Sequence, residues 1–521
     1  MTADGATVDG ATVLTGPSQS QPSRSQPSRS QPPRFRRMPF PFPLTLPGRL
    51  LRLELRRNTM LWVLPVVGLM FWFDTYRRTM TFASAPLWSL RTFFEQEGSI
   101  LMDCSPFVAG VAAWTGSRDG RRETVDLVAV TARPRWTGRL ATWAATTCWA
   151  TAAYLGCVAA LYAVTARQAG WGGPPWWPVA VGAAGIAALC ALGFAAGVYF
   201  PSRFTAPLAA VVAFFALSVA RTVTHIGSTY AQILPVRAGW ATGPEAGVFY
   251  PYLPDVSIAQ LMLLLGLTAA ALGLLGLPAA SGGRWLRVGA AAVTVAGLLA
   301  AGTGVALAGT ARAEVNGAVI PALHDAANDR PITYTPVCAV ATVPVCIHPA
   351  YQAYLPDVTT ALAPLLSEVA GLPDAPVRVN QVATSLASAD INLTSGTSTL
   401  NLAFDGDVPD TFGIGTANFI FDLRMAATTR VVDNLVGVSL ARPGDPAQQA
   451  IAEAITLAAG VQLHAPDTPD SGLALPDATP GSPAYAAAQR FAALPAATRH
   501  AWLAAHLAAL RSGGLTLAQL P

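Results

Sequence analysis

A chain of 521 residues in which 52% are hydrophobic and only 12% are charged falls well short of the roughly 25% charged content of soluble domains. The net charge is +4 and all 33 basic residues are Arg. Without Lys, neither a P-loop Lys on nucleotide phosphates nor a Schiff-base Lys is available, so ATP-driven work here would draw on another chain.

The charge is divided unevenly. Residues 1–310 carry 24 Arg against 12 acids, and residues 311–521 carry 9 Arg against 17 acids, a net of −8. A basic apolar half followed by an acidic polar half reads as two domains in two compartments. The arginines call for no nucleic acid partner, because cytoplasmic loops of membrane proteins favour them.

Residues 1–45 repeat Gln-Pro-Ser-Arg and end in a Pro/Phe-rich stretch. That composition cannot bury enough surface to fold, and predicts a disordered cytoplasmic tail. Residues 46–58, LPGRLLRLELRRN, mix Leu with Arg. They fit a helix lying in the membrane interface with its arginines reaching the headgroups. The alternation from Leu51 to Leu55 also fits a strand; the helix is preferred because it leads directly into an apolar run.

Seven apolar runs follow, near 59–75, 98–115, 140–164, 176–199, 206–224, 257–279 and 286–309. Most reach the ~20 residues that cross a ~30 Å hydrocarbon core. Trp62, Trp72, Trp114, Trp176, Trp177, Tyr199 and Trp285 sit near their ends, as interfacial aromatics do. With the N-terminus inside, the inner segments hold 13 arginines and the outer loops 6. The positive-inside rule therefore predicts a cytoplasmic N-terminus in the plasma membrane and an extracytoplasmic domain from 311 to 521.

Between the second and third runs lies Gly116–Arg139, GSRDGRRETVDLVAVTARPRWTGR, with six Arg and a short amphipathic stretch at its centre. One reading is a basic loop that only marks topology. The other is a docking surface, in which arginines and Glu123 form charge-assisted bonds with a soluble partner. Asp103 is the one acid well inside a predicted run, which makes it a candidate for a translocation pathway. Its place near the outer end, beside Cys104, Ser105 and Pro106, equally fits a water-exposed interface.

In the polar half, Cys338 and Cys346 stand eight residues apart. In an extracytoplasmic domain they predict a local disulfide, the alternative being two buried thiols. Cys104, Cys148, Cys157 and Cys190 fall in apolar runs and read as small packing residues. Helical spacing is expected over 356–371, 445–459, 482–494 and 496–511. Strands are expected over 377–386, 398–404 and 418–423, and a loop over 464–481. The domain is thus α+β.

Neither H-E-x-x-H nor G-x-S-x-G occurs, so neither zinc-peptidase nor serine-hydrolase chemistry is expected. Two Cys and His348 fall short of a structural zinc set. Asp405, Asp407 and Asp410 read as an acidic turn before a Ca²⁺ site, and His500 and His506 as surface residues. No metal, cofactor or catalytic residue is expected.

The order of an interfacial helix, a first span, a long outer loop, a second span and then RRETVDLVAVTARPR resembles the membrane subunit of an ABC-2 type transporter, over roughly residues 46–280. In that family the first cytoplasmic loop carries a coupling helix. The resemblance implies that role for Arg121, Arg122, Glu123, Thr124, Leu127, Val128, Arg133, Pro134 and Arg135. It further implies a separate ABC ATPase as partner, a homodimer or heterodimer of permease subunits in the lipid bilayer, and export as the function. Some relatives carry a zinc-aminopeptidase-like outer domain; without the zinc motif, this tail would be a non-catalytic one. The few polar residues in the spans fit an amphiphilic cargo better than an ion. The alternative function is a membrane-anchored binding or sensing protein acting through its outer domain.

Overall fold

The computed structural model describes residues 46–76, 88, 99–122, 135–224, 247–279, 284–314, 316–383, 392–394, 398–403, 416–438, 444–461 and 480–521. The tail at 1–45, the acidic turn at 405–410 and the expected loop at 464–481, apart from its last two residues, lie outside them.

A helix occupies each of the seven apolar runs. Helix α1 (Leu46–Arg57) precedes α2 (Met60–Met70), which continues as a π turn over Phe71–Tyr76. Then come α3 (Ser99–Gly116), the single turn α4 (Arg118–Arg121), α5 (Arg135–Gln168), α6 (Trp176–Tyr199), α7 (Thr205–Thr224), α8 (Asp255–Ala279) and α9 (Arg284–Ala308). Four stretches are long and apolar enough to cross a membrane: Trp136–Arg167, Trp176–Tyr199, Asp255–Leu277 and Arg284–Ala308. Met60–Phe73 and Thr205–Val219 are shorter apolar helices, and α3 holds Pro106 in its interior. Among the described residues, length and composition identify four candidate crossings. Helix α5 exceeds its apolar run at both ends; its 34 residues extend about 50 Å at ~1.5 Å each, well past a ~30 Å core.

The helices meet where side chains are smallest. A Cβ on Gly266 of α8 would lie 2.6 Å from the Gly297 carbonyl of α9. Gly273 and Gly304 are equally confined against the partner backbone. On α6, Gly193 and Gly197 face the carbonyls of Ala109 and Ala113 on α3. Between apolar helices in lipid, such close approach is what supplies the packing energy. Helix α1 is tied to α5 by polar contacts: Trp149 Nε1 donates to the Leu55 carbonyl (2.9 Å) and Asn58 Nδ2 to Thr146 Oγ1 (3.0 Å).

Beyond α9 the chain forms a small hairpin, β1 (Arg312–Glu314) and β2 (Gly317–Val319). A five-stranded mixed sheet follows, from β3 (Val337–Ala339), β4 (Val345–Ile347), β5 (Arg378–Gln381), β6 (Asn392–Thr394) and β7 (Thr399–Leu402), ordered β3-β4-β5-β7-β6. Pairing is parallel for β4–β5 and β5–β7 and antiparallel at both edges. Helix α10 (Leu355–Val369) makes the crossover that the parallel β4–β5 pair requires. Val345, Ile347, Val379, Leu400 and Leu402 are buried in the domain core, shared with α10, α11 (Thr416–Val436), α12 (Pro446–Ala458), α13 (Pro483–Ala492) and α14 (Ala496–Arg511).

The expected α+β class holds, with one local correction. Residues 418–423 are helical, as part of α11, rather than a strand. Phe419, Phe421 and Leu423 alternate over that short window, but buried Leu423, Ala427, Val431 and Leu435 repeat every four residues across the longer one, and the longer period decides the structure. The helix beginning at Pro446 is fixed by a capping box: the Asp445 carboxylate accepts the backbone N–H of Ala447 and Gln448, and Gln448 Oε1 accepts that of Asp445. The last helix is clamped by Arg499, whose Nε and Nη2 each lie 2.6 Å from the buried Glu368 carboxylate of α10.

Candidate functional site

Two clusters lie at opposite ends of α6. The first begins where α3 ends. Gly116 presses on the Phe194 backbone and Gly120 on Pro201, so a side chain at either place would collide with the end of α6 or the turn after it. This seats α4 against that end. Arg118 Nη2 reaches Glu54 Oε1 of α1 at 3.3 Å. Arg121 Nε donates to Ser117 Oγ (3.0 Å), its Nη2 donates to the Trp114 carbonyl (3.0 Å), and its guanidinium lies over the Trp114 ring. Arg122 follows in an exposed turn.

Of the residues the resemblance assigns to coupling, Arg121 and Arg122 are therefore placed here. Arg135 opens α5, with its side chain outside the described residues. Glu123, Thr124, Leu127, Val128, Arg133 and Pro134 lie outside them altogether. Asp103 is within α3, its side chain again outside the described set.

The second cluster is the junction with the C-terminal domain, and the sequence reading missed it. Asp255, the first residue of α8, is fully buried. Its Oδ2 accepts the backbone N–H of Ile320 (3.0 Å) and faces His324 Nδ1 (3.2 Å). The other ring nitrogen, Nε2, faces Asp329 Oδ1 at 3.0 Å, and Asn316 Nδ2 donates to that same oxygen. With a carboxylate oxygen at each nitrogen, the protonated ring can donate to both acids at once. The hydrogen bond to Asp329 and the charges of both acids hold the His324 pKa above its ordinary value despite burial. His324 and Asn316 hold that of Asp329 below its own. The network fastens the start of α8 to the segment that leads from β2 into the domain.

His348 is buried and its pKa is shifted in the opposite direction. Its Nδ1 accepts the Ala350 N–H (3.1 Å), capping a 3₁₀ turn, so the remaining proton sits on Nε2. Among the described residues Nε2 has no hydrogen-bond partner. The ring is enclosed by Trp171, Phe249 and Tyr334, with centroids at 4.6, 4.9 and 4.1 Å. Burial brings its pKa down to about 4. Trp171 belongs to the α5–α6 connection and Phe249 to the segment before α8, and both pack on the core of the C-terminal domain. The domain core thus takes in residues from two of the connections between apolar helices.

Cys338 and Cys346 are directly paired on β3 and β4 and form a disulfide, as their spacing predicted. Of the other cysteines, Cys104, Cys157 and Cys190 are buried as expected, while Cys148 is exposed on α5. His500 Nε2 contacts the Ala370 carbonyl and His506 stacks on Trp502, so both are half-buried helix contacts rather than free surface groups. Among the described residues no group of three or more His, Cys, Asp or Glu is arranged to hold a metal ion.

The signals for the junction were present but slight: an acid opening an apolar run at Asp255, and His324 flanked by Asp325 and Asp329 just beyond the last run. Compared with family models, curated proteins and solved structures, the chain has no match.

Proposed function

We propose that this chain is the membrane subunit of an ABC-type exporter, coupling ATP hydrolysis on a separate ATPase to transport across the plasma membrane. The observation that carries the reading is α4: one polar turn at the end of α3, braced by Glu54 of α1 and by Pro201, which presents Arg122 at the start of the arginine-rich segment. A force applied to that segment would pass into α1, α3 and α6 together. Arg118, Arg121, Arg122 and Arg203 lie on the turns at this end and Arg139 reaches the Leu275 carbonyl, against Arg167 and Arg221 near the far ends of α5 and α7, which supports a cytoplasmic location for the first. The opposite end, with the disulfide-bearing domain, then faces outward.

The packing of Trp171 and Phe249 around His348 favours this reading over a binding module strung on an anchor. A domain whose core includes Phe249 and is packed by Trp171 would move with the connections between the apolar helices. As a permease half, the subunit would pair with a second copy or a related chain. The test is purification of the tagged full-length chain from its native membrane. An ABC-type ATPase should co-purify, and its absence would leave the outer domain as the seat of function.

A further inference from the structure

The outward face of the five-stranded sheet carries a polar row beside the disulfide. Arg378 of β5 points its guanidinium at the bond: Nη2 lies 3.3 Å from Cys346 Sγ and 3.9 Å from Cys338 Sγ. Its Nε donates to Asn380 Oδ1 at 2.8 Å, and among the described residues it has no carboxylate partner. The two sulfurs are not equivalent. Cys338 is exposed on the edge strand β3, whereas Cys346 is 2% exposed and nearer the cation.

We infer that Cys338–Cys346 is a thiol-exchange site, at which a small thiol attacks Cys338 and Cys346 departs as the thiolate that Arg378 stabilises. The external thiolate forms a new sulfur–sulfur bond with Cys338 Sγ. The electron pair of the broken bond stays on Cys346 Sγ, giving a mixed disulfide and one thiolate with no net change in oxidation. Exchange is faster when the departing thiol has a low pKa, and an adjacent guanidinium lowers it. Burial of Cys346 opposes a thiolate, and the Arg378 guanidinium 3.3 Å from its Sγ is what offsets that cost and makes this direction of cleavage accessible. The exposed edge position of Cys338 supplies the line of approach. Opening the bond removes the covalent tie between β3 and β4, whose backbone pairing remains.

The experiment uses the full-length protein in detergent with glutathione as the thiol. The reaction is stopped with acid, free thiols are alkylated, and peptides are mapped by mass spectrometry. The expected product carries glutathione on Cys338 and the alkyl group on Cys346. Arg378→Gln should slow adduct formation several-fold and Arg378→Lys should restore most of the rate. Asn380→Asp, which would give the guanidinium a competing carboxylate, should also slow it. Glutathione on Cys346, or an Arg378→Gln rate equal to that of the unaltered protein, would overturn the inference.

Discussion

His324 stands 3.2 Å from the buried carboxylate of Asp255, across the boundary between the first residue of an apolar helix and the C-terminal domain. Asp329 stands on its other nitrogen, so both acids favour the protonated ring. Its folded pKa lies above the ordinary value of 6.5, so its contribution is complete below about pH 6.5 and fades as pH rises through the raised value. Asp329 sets the acid limit: its pKa is depressed, and its contribution is lost only as pH falls through that lower value. Melting curves across pH should therefore show a decline on the alkaline side. His324→Phe removes that decline and costs about 3 kcal/mol, the order expected when a buried carboxylate loses its cation. An unchanged alkaline profile would contradict the assignment.

His348 has the opposite sign. Its folded pKa is about 4 against ~6.5 unfolded, so the stability its neutral ring provides is present above pH 6.5 and is progressively lost as pH falls toward 4. His348→Ala should lose both the cap on Ala350 and the packing against Tyr334 and Trp171. That is about 3 kcal/mol at neutral pH, and the acid slope should flatten. Thermal denaturation at pH 7 and pH 5 measures both effects.

The α8–α9 contact predicts a steric limit. Gly297→Val would force a Cβ to within 2.5 Å of the Ala270 nitrogen and 2.6 Å of the Gly266 carbonyl, neither of which can turn aside. A destabilisation of about 3 kcal/mol or failure to assemble follows. Gly302→Val, with nothing near its Cβ, is the control and should be tolerated. Yield and melting temperature of the two purified variants give the comparison.

How much of this was legible in the sequence depends on range. The apolar runs gave helices in the right places because a run of twenty apolar residues has few alternatives in lipid. The Cys338–Cys346 pair followed from an eight-residue spacing, and the helix expected over 445–459 followed from its local spacing. Residues 418–423 misled because a six-residue window can match two periods at once. The junction was hidden for a different reason. Asp255 and His324 are 69 positions apart, and Trp171 and Phe249 reach His348 from separate connections; nothing local marks such an encounter.

The disulfide makes its own prediction. Impermeant maleimide on intact cells should label neither Cys338 nor Cys346 until a reductant is added. Replacing both with Ser should cost about 2 kcal/mol, the loop-closure contribution for a short span. Labelling without reductant would show that the bond does not form in the cell.

The central claim is that residues 116–139 are the grip of an ATPase, and charge reversal tests it most directly. ATPase recovery would be quantified on the tagged full-length chain, unaltered and with Arg122→Glu or Glu123→Arg. The predicted result is an ATPase that co-purifies with the unaltered chain and is lost, or reduced at least tenfold, with either substitution. An ATPase that binds all three equally would contradict the role given to this segment.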